Sequence, residues 1–487
     1  MVNQELRDKT IRATAWNLIE KLGVLGMGLI INIILARLLS PTEYGLIGNI
    51  AIFTVIANTF LDSGFGASLI QKQKTNQTDY STIFFFNLGI GIVLYGILFS
   101  IAPWVSGYFQ QPILKPLLRV VGLMLIFNSF GLIQSTLFTK HLNFKTQSKA
   151  ALVSNLLSGV IAVTMAYLGF GVWSLAVQLI SAVVFKTALL WYFSDWRPTR
   201  QFSFQSLRSL FGFGSNILFS SLLENIYQSA FSWIINKRFS IQSLGFYTQA
   251  KKLQEIPVLI LSNVIGGVTF PAMATIQDDN VKLKQTYKKI LQLQVFVNFP
   301  IMLGLMVMAK PVVAILLTAK WLPSVPFIQL LALAGMLYTL QTTNLNILKV
   351  KGRSDLYLKL EFVKKIIGVA FIVIGLFWGI YGLIVSLVVS AYVSYLINSY
   401  YSGKLISYPV AEQLLDLAPY LLSSLVMAAA AYSVKLVVPF GDVGMLLSQA
   451  TVAAVTYFLV SLLLRLDAIN ELKLIAESLY KKTGNGK

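Results

Sequence analysis

Long apolar segments fill this sequence from near residue 15 to near residue 465, and only short polar gaps separate them. A helix that crosses the hydrocarbon core of a bilayer needs about 20 apolar residues, and about 14 such spans can be placed here. Charged residues make up only 12% of the chain, whereas soluble domains carry roughly 25%. The sequence therefore predicts an all-α integral membrane protein whose function lies in the bilayer, and transport is the first function to consider.

Composition excludes several other classes of function. The net charge of +20 comes from Lys and Arg spread over many loops, not from one soluble patch that could bind nucleic acid. The chain has no cysteine and a single histidine, His141, so it cannot form a thiolate site or a histidine cluster for a metal ion. P-loop and Gly-x-Ser-x-Gly patterns are also missing from the sequence. We expect no cofactor, no metal, no catalytic residue and no nucleic-acid partner.

Basic residues predict the orientation of the chain. Lys and Arg are concentrated at both termini and in the gaps that follow even-numbered spans, for example at Lys140, Lys145 and Lys149. Gaps that follow odd-numbered spans hold far fewer. Because cytoplasmic loops of membrane proteins are enriched in Lys and Arg, we expect both termini to lie in the cytoplasm.

A weak internal repeat indicates two related halves. The segments 36–45 and 236–245 each carry a basic residue, a serine and a final glycine, at a shared offset of 200 residues. Coincidence among common loop residues is the alternative explanation. Parallel repeats of this kind place a substrate cavity between two lobes. The pattern predicts an N-lobe over 1–200, a C-lobe over 201–403, two further spans over 404–465 and an amphipathic cytoplasmic tail over 466–487.

Charged residues on predicted span eight, 246–270, are the first candidates for a binding site. At 100° per residue, Thr248, Lys251, Lys252 and Glu255 fall on one face of a helix. Charges in a spanning helix are costly and usually face a cavity or a partner. The alternative is that both lysines extend outward to lipid head groups, with Glu255 as a local ion-pair partner.

Further candidates lie on predicted spans one, two and seven: Asn17, Glu20 and Lys21; Asp62; and Glu224 with Gln228. The residues of span one share a face, which suits either a cavity or close helix packing. Glu224 and Gln228 are four residues apart, and the glutamate could pair with a lysine of span eight or titrate during transport. Asp62 suits a helix cap or a coupling carboxylate. Lys186, Lys310 and Lys364 are expected at the membrane interface.

Four segments of the chain resemble a known family of transporters. They are 10–16, 35–45, 61–66 and 246–257, and they resemble the Wzx-type lipopolysaccharide and exopolysaccharide flippases, close to colanic acid and teichuronic acid exporters, of the multidrug/oligosaccharidyl-lipid/polysaccharide exporter superfamily. The resemblance implies two six-helix lobes packed as a V, two further C-terminal helices, a central cationic cavity and alternating access.

The resemblance also implies a cargo and partners. The cargo would be a polyprenyl-diphosphate-linked oligosaccharide, moved to the outer leaflet, and a polysaccharide polymerase and a chain-length regulator would be protein partners. In related lipid II flippases, cavity arginines lie on spans one, two and eight. Here Lys21, Lys251 and Lys252 occupy spans one and eight, and span two carries no internal basic residue. Lysine lacks the bidentate fork of arginine, so a two-arginine grip on diphosphate is not transferable. An ion-coupled drug antiporter and a membrane polymerase or ligase are the alternative functions.

Overall fold

The computed structural model describes residues 2–62, 65–72, 75–141, 143–437, 441–469 and 471. Side chains outside this description include those of 2–15, 17–19, 209–217, 219–220, 263–268 and 270–272, and those of the single residues 62, 67, 71, 354 and 437. Throughout the described part the regular structure is helical, and eleven stretches are long and apolar enough to cross a membrane. The prediction of an all-α integral membrane protein is confirmed.

The chain divides into two compact units, Met1–Thr248 and Gln249–Lys487. The first contains nine complete helices within its described residues and the start of a tenth: α1 Val2–Leu38, α2 Pro41–Asp62, α3 Phe65–Gln71, α4 Gln77–Tyr108, α5 Leu114–Gly122, α6 Met124–Lys140, α7 Phe144–Tyr167, α8 Val172–Phe193, α9 Phe204–Arg238 and α10 Ile241–Ala274. A core of apolar side chains from α2, α4, α5 and α8, among them Ile50 and Leu117, holds part of this unit together.

The second unit contains the rest of α10 and six further helices within its described residues: α11 Asn280–Leu316, α12 Val325–Val350, α13 Ser354–Gly375, α14 Gly379–Ile406, α15 Val410–Val437 and α16 Asp442–Leu463. Its core lies mainly between α11, α12, α15 and α16 and includes Leu291 and Met302. Of the predicted tail, Leu466 and Ala468 are buried, and residues 472–487 lie outside the described residues. The assignment of helices to lobes stays a prediction.

Helices α9 and α10 both contain side chains that lie outside the described residues, 209–217 and 263–268 among them. The apolar stretches include α1, α2, α4, α7, α8, α11, α15 and α16, and the stretch Asp355–Ile406 contains both α13 and α14. Helices α9 and α10 have 35 and 34 residues but are not among these stretches. Both carry the polar and charged residues that the sequence singled out. The total of 14 spans and the cytoplasmic placement of both termini stay predictions.

The start of α2 and the start of α10 lie 200 residues apart, as do the ends of α1 and α9. Helix α1 ends at Leu38 and α2 begins at Pro41, while α9 ends at Arg238 and α10 begins at Ile241. Glycines with positive φ also occur at two short turns: Gly169 and Gly171, with φ of 83° and 55°, join α7 to α8, and Gly379, with φ of 71°, is the first residue of α14. Positive φ is readily adopted only by glycine. The relation of the two halves as repeats stays a prediction.

The linker between α8 and α9, residues 194–203, is bound to the start of α4. Gln77 donates to the Arg197 carbonyl oxygen over 2.7 Å and accepts from the Trp196 indole over 2.8 Å. The Thr199 amide donates to the Ser81 hydroxyl, and the Ser203 amide donates to the Thr82 hydroxyl, each over 3.0 Å. The linker that leads into α9 is therefore held against the start of α4.

Helix α15 docks on α11 through paired charges. Lys284 contacts Glu412 at 2.8 Å and Lys288 contacts Asp416 at 2.7 Å. Both pairs are four residues apart on each helix, so they stack on adjacent turns. Burial, assisted by a hydrogen bond to Asp416 over 2.6 Å, raises the pKa of Tyr408, which lies between α14 and α15. The phenol therefore stays protonated and donates to that carboxylate.

Candidate functional site

The predicted face of α10 carries two lysines and one carboxylate. Lys251 Nζ lies 3.6 Å from Glu255 Oε1, and both side chains are partly exposed, at 30% and 45%. The separation of four residues places them on one face of the helix. Lys252 is exposed on the next position around the helix. One carboxylate beside two ammonium groups leaves this face with a net positive charge.

The other residues near this face are engaged in helix packing. Thr248, at the end of the first unit, places its hydroxyl against Gly48 of α2, where an added Cβ would lie 2.8 Å from Oγ1. Gln254 is buried and its amide packs against Gly335 of α12 in the second unit. Thr248 and Gln254 thus pack against other helices, whereas Lys251, Lys252 and Glu255 are partly or fully exposed.

Helix α9 carries a second polar pair. The Gln228 amide donates to Glu224 Oε1 over 2.9 Å, and Gln228 is exposed. Glu224 and Gln228 are four residues apart, so they lie one turn apart on the same face of the helix. On the neighbouring face, the Asn225 amide donates to the Thr59 hydroxyl of α2 over 2.8 Å. The polar residues of α9 thus serve two purposes, since Asn225 packs the helix and Gln228 remains accessible.

The candidates on α1 do not share one environment. Glu20 accepts a hydrogen bond from the Ser148 hydroxyl of α7 over 3.2 Å, whereas Lys21 is exposed. The side chains of Asn17 and Asp62 lie outside the described residues. The first unit therefore contains Glu20, Lys21, the Glu224–Gln228 pair and Thr248, and the second contains the three charged residues of α10. Their roles in binding stay predictions.

A charged pair on α13 escaped the sequence analysis. Lys364 is only 8% exposed and lies 2.6 Å from Glu361, one turn earlier on the same helix. Lys364 lies about 15 Å from the first residue of α13 at the usual helical rise, and its expected position at the membrane interface stays a prediction. The signal was available, because Glu361 and Lys364 are opposite charges three residues apart in an apolar stretch. Buried charges in spanning helices are usually functional.

The site carries no group of side chains typical of a metal centre. Among the residues that the structure describes, clusters of three or more His, Asp or Glu side chains that could hold a metal ion do not occur. The available chemistry is ionic and hydrogen-bonding: ammonium groups, amides and hydroxyls with few carboxylates. Such groups can bind an anion reversibly, and they can do so without changing a covalent bond.

Comparisons with known proteins agree on one family and one fold. The family model described as "Polysaccharide biosynthesis protein" matches residues 34–326, which is more than half of the chain. The lipopolysaccharide biosynthesis protein WzxC of Escherichia coli is 28% identical over 76% of this chain and 76% of its own length. The teichuronic acid biosynthesis protein TuaB of Bacillus subtilis is 28% identical over 66% of this chain and 67% of its own length.

A solved structure shares the fold. The lipid II flippase MurJ in an inward closed conformation superposes with a TM-score of 0.76, covering 93% of this chain and 99% of MurJ at 14% identity. Identity this low supports a common fold alone. The helical architecture inferred for the described residues is therefore one that a known membrane transporter also adopts.

Proposed function

This chain belongs to the polysaccharide biosynthesis protein family, and from that membership we propose that it is a flippase for polyprenyl-diphosphate-linked oligosaccharides. It moves the lipid-linked repeat unit from the cytoplasmic leaflet to the outer leaflet of a bacterial cytoplasmic membrane. It is a transport protein and not an enzyme, in keeping with its relatives and with a fold shared with a flippase. A polysaccharide polymerase and a chain-length regulator are proposed to act on the cargo after it crosses.

The observation that carries the proposal is the positive face of α10. A diphosphate that crosses a bilayer needs positive charge sheltered from bulk water, where each ionic contact is stronger. Lys251 and Lys252 supply that charge, and Glu255 at 3.6 Å from Lys251 moderates it. Lysine ammonium groups act as point charges without the bidentate geometry of arginine. Such a site captures the diphosphate and still releases it on the other side.

The proposal also assigns supporting roles. We propose that Lys21, Thr248, Gln228 and Asn17 also contact the cargo, and that Glu224, Glu20 and Asp62 are the candidates for ion pairing or coupling. Alternating access would expose these residues to one leaflet at a time. The coupling ion is left open, since the described residues offer carboxylates on several helices.

The test begins with a strain that lacks this protein, in which the leaflet location of lipid-linked repeat units is measured. We expect the units to accumulate on the cytoplasmic face and surface polymer to be lost. Expression of the natural chain should restore the polymer, whereas Lys251→Ala with Lys252→Ala should insert normally but restore less than about a tenth of it, the scale of one lost charged contact.

A matched control is a double alanine variant at Lys186 and Lys310, which lie on α8 and α11. It removes the same amount of positive charge from helices outside the proposed site, and we expect surface polymer close to the natural level. Lipid-linked units that reach the outer face in the deletion strain would contradict the flippase proposal. Normal export by the Lys251 and Lys252 variant would remove these two lysines from the mechanism.

A further inference from the structure

The starts of α2 and α10 touch each other through glycines. A Cβ at Gly45 would overlap the carbonyl oxygen of Ile241, and a Cβ at Gly245 would overlap the carbonyl oxygen of Pro41. Positions 41 and 241, like 45 and 245, are related by the 200-residue offset of the repeat. Gly45 contacts residue 241, and its repeat equivalent Gly245 contacts residue 41, which is the repeat equivalent of residue 241. Such reciprocity is what a two-fold relation between equivalent segments produces.

The contact continues one turn further with the same correspondence. A Cβ at Gly48 would lie 2.8 Å from Thr248 Oγ1 and 3.4 Å from Leu244 Cγ. Small residues allow two helix backbones in a membrane to approach closely. We call residues 41–48 of α2 and 241–248 of α10 the glycine crossing. Both segments belong to the first compact unit, in which Ile241 also packs on the core formed by α2, α4, α5 and α8.

A second contact lies at the same end of these helices. The rings of Trp104 and Trp233 stack on Tyr108, with centroids 5.4 Å and 5.5 Å away. Lys237 donates to the Tyr108 carbonyl oxygen over 2.9 Å and lies 3.8 Å from the centre of that ring. These four residues, here the aromatic stack, join the end of α4 to the end of α9. The connection from α9 to the glycine crossing is only two residues long.

We propose that the glycine crossing and the aromatic stack together form the external gate of the transporter. The proposal rests on the flippase function and on the predicted orientation, which places this end outside. At the glycines the two backbones approach with few side-chain atoms between them, and the side chains that pack there are those of Ile241, Leu244 and Thr248. A cation above a ring adds only about 0.5–1 kcal/mol at an exposed site. Cargo release requires both contacts to part, and cargo entry requires both to be closed.

Cysteine substitution tests the gate directly, because the natural chain has no cysteine. In the double variant Gly48→Cys and Thr248→Cys, the two Cβ atoms lie roughly 4 Å apart, within the range of a disulfide. Oxidation should lock the crossing, and we expect export of lipid-linked oligosaccharide to fall at least about tenfold, the loss of 1.4 kcal/mol or more in the open population. Reduction should raise export at least about tenfold above that of the oxidised variant, which also shows that the variant folds.

The chain offers a matched control inside one half. A Cβ at Gly131 on α6 would lie 2.9 Å from Thr187 Oγ1 and 3.7 Å from Thr187 Cβ on α8. The variant Gly131→Cys with Thr187→Cys therefore forms a comparable disulfide between helices that are not expected to separate. Oxidation of this pair should leave export unchanged. A loss in both pairs would show that any cross-link impairs the protein, and it would overturn the assignment of the gate to the crossing.

The two proposals fail in different ways. Complete cross-linking of residues 48 and 248 with undiminished export would overturn the gate and leave the flippase proposal standing. A cysteine-free chain that moves no lipid-linked oligosaccharide would instead overturn the flippase proposal. If the Gly48 variant does not insert, Tyr108→Cys with Trp233→Cys, bridged by a short bis-maleimide, tests the aromatic stack in the same assay. A block there supports the gate, and unimpaired export contradicts it.

Discussion

The glycine crossing, between α2 and α10, and the bound linker of residues 194–203, on α4, are two contacts of the first compact unit that form by different means. At the linker, four side chains at the start of α4, Gln77, Thr78, Ser81 and Thr82, bind partners between Trp196 and Ser203. At the crossing, the closest approach is between glycine positions and backbone carbonyl oxygens. The linker is held by directed hydrogen bonds from polar side chains, whereas the crossing is held by close packing around glycines.

The difference indicates which connection moves. Separating the linker from α4 would break the hydrogen bonds from the backbone amides of Thr199 and Ser203, which are partly buried, at a cost of about 0.5–1.5 kcal/mol each. Separating the crossing breaks mainly dispersion contacts, which lipid or cargo can replace. The linker therefore suits a fixed pivot, and the crossing suits a contact that opens and closes.

The largest expected effect comes from filling the crossing. Gly45→Ala or Gly245→Ala places a methyl group against a backbone carbonyl that cannot rotate away. Overpacking of a tight contact costs about 1–3 kcal/mol, and that cost falls on the closed state alone. We expect export to drop roughly tenfold for either variant and further for the double variant, measured as surface polymer in the deletion strain.

Gly96 provides the control for these substitutions. It lies on α4, and a Cβ there would meet no atom within 4 Å. Gly96→Ala has the same change in helix propensity, and we expect export at the natural level. An effect at Gly96 as large as that at Gly45 would mean that glycine flexibility, and not close approach, explains the loss.

Much of this arrangement could be predicted from the sequence, and part could not. The offset of 200 residues is visible in segments 36–45 and 236–245, and it correctly pairs Gly45 with Gly245. That the two glycines touch depends on how α2 and α10 pack, which no local pattern specifies. The aromatic stack was equally hidden, since Trp104 and Trp233 are 129 residues apart in the sequence.

The candidate site shows the same division. Contacts within one helix followed from spacing: Lys251 with Glu255, and Glu224 with Gln228, are each four residues apart and pair in the structure. Contacts between helices did not follow from spacing, as the hydrogen bond from Ser148 of α7 to Glu20 shows. Periodicity fixes which residues share a helix face, but it carries no information on which neighbouring helix covers that face.

A smaller effect is expected from weakening the aromatic stack. Lys237→Met keeps the length of the side chain but removes its charge, and with it the hydrogen bond to Tyr108 and the contact with the ring. With Thr248→Cys as the sole thiol, an impermeant thiol reagent should label the crossing about two to five times faster, for a loss near 0.5–1 kcal/mol. Lys115→Met, at an exposed site on α5, should leave the labelling rate unchanged.

The smallest effect is expected from cross-linking the linker to α4, and this test distinguishes the linker from the glycine crossing. The hydroxyls of Ser81 and Thr199 lie 3.1 Å apart, so Ser81→Cys with Thr199→Cys can be joined by a disulfide or a short bis-maleimide. Because the linker is expected to stay on α4 in every state, fixing it there should leave the export rate within about twofold of the reduced protein. A block as deep as that of the 48–248 cross-link would show that the linker must also detach. In that case the hydrogen bonds between the linker and α4 would not mark a contact that stays fixed, and both the linker and the glycine crossing would have to open during transport.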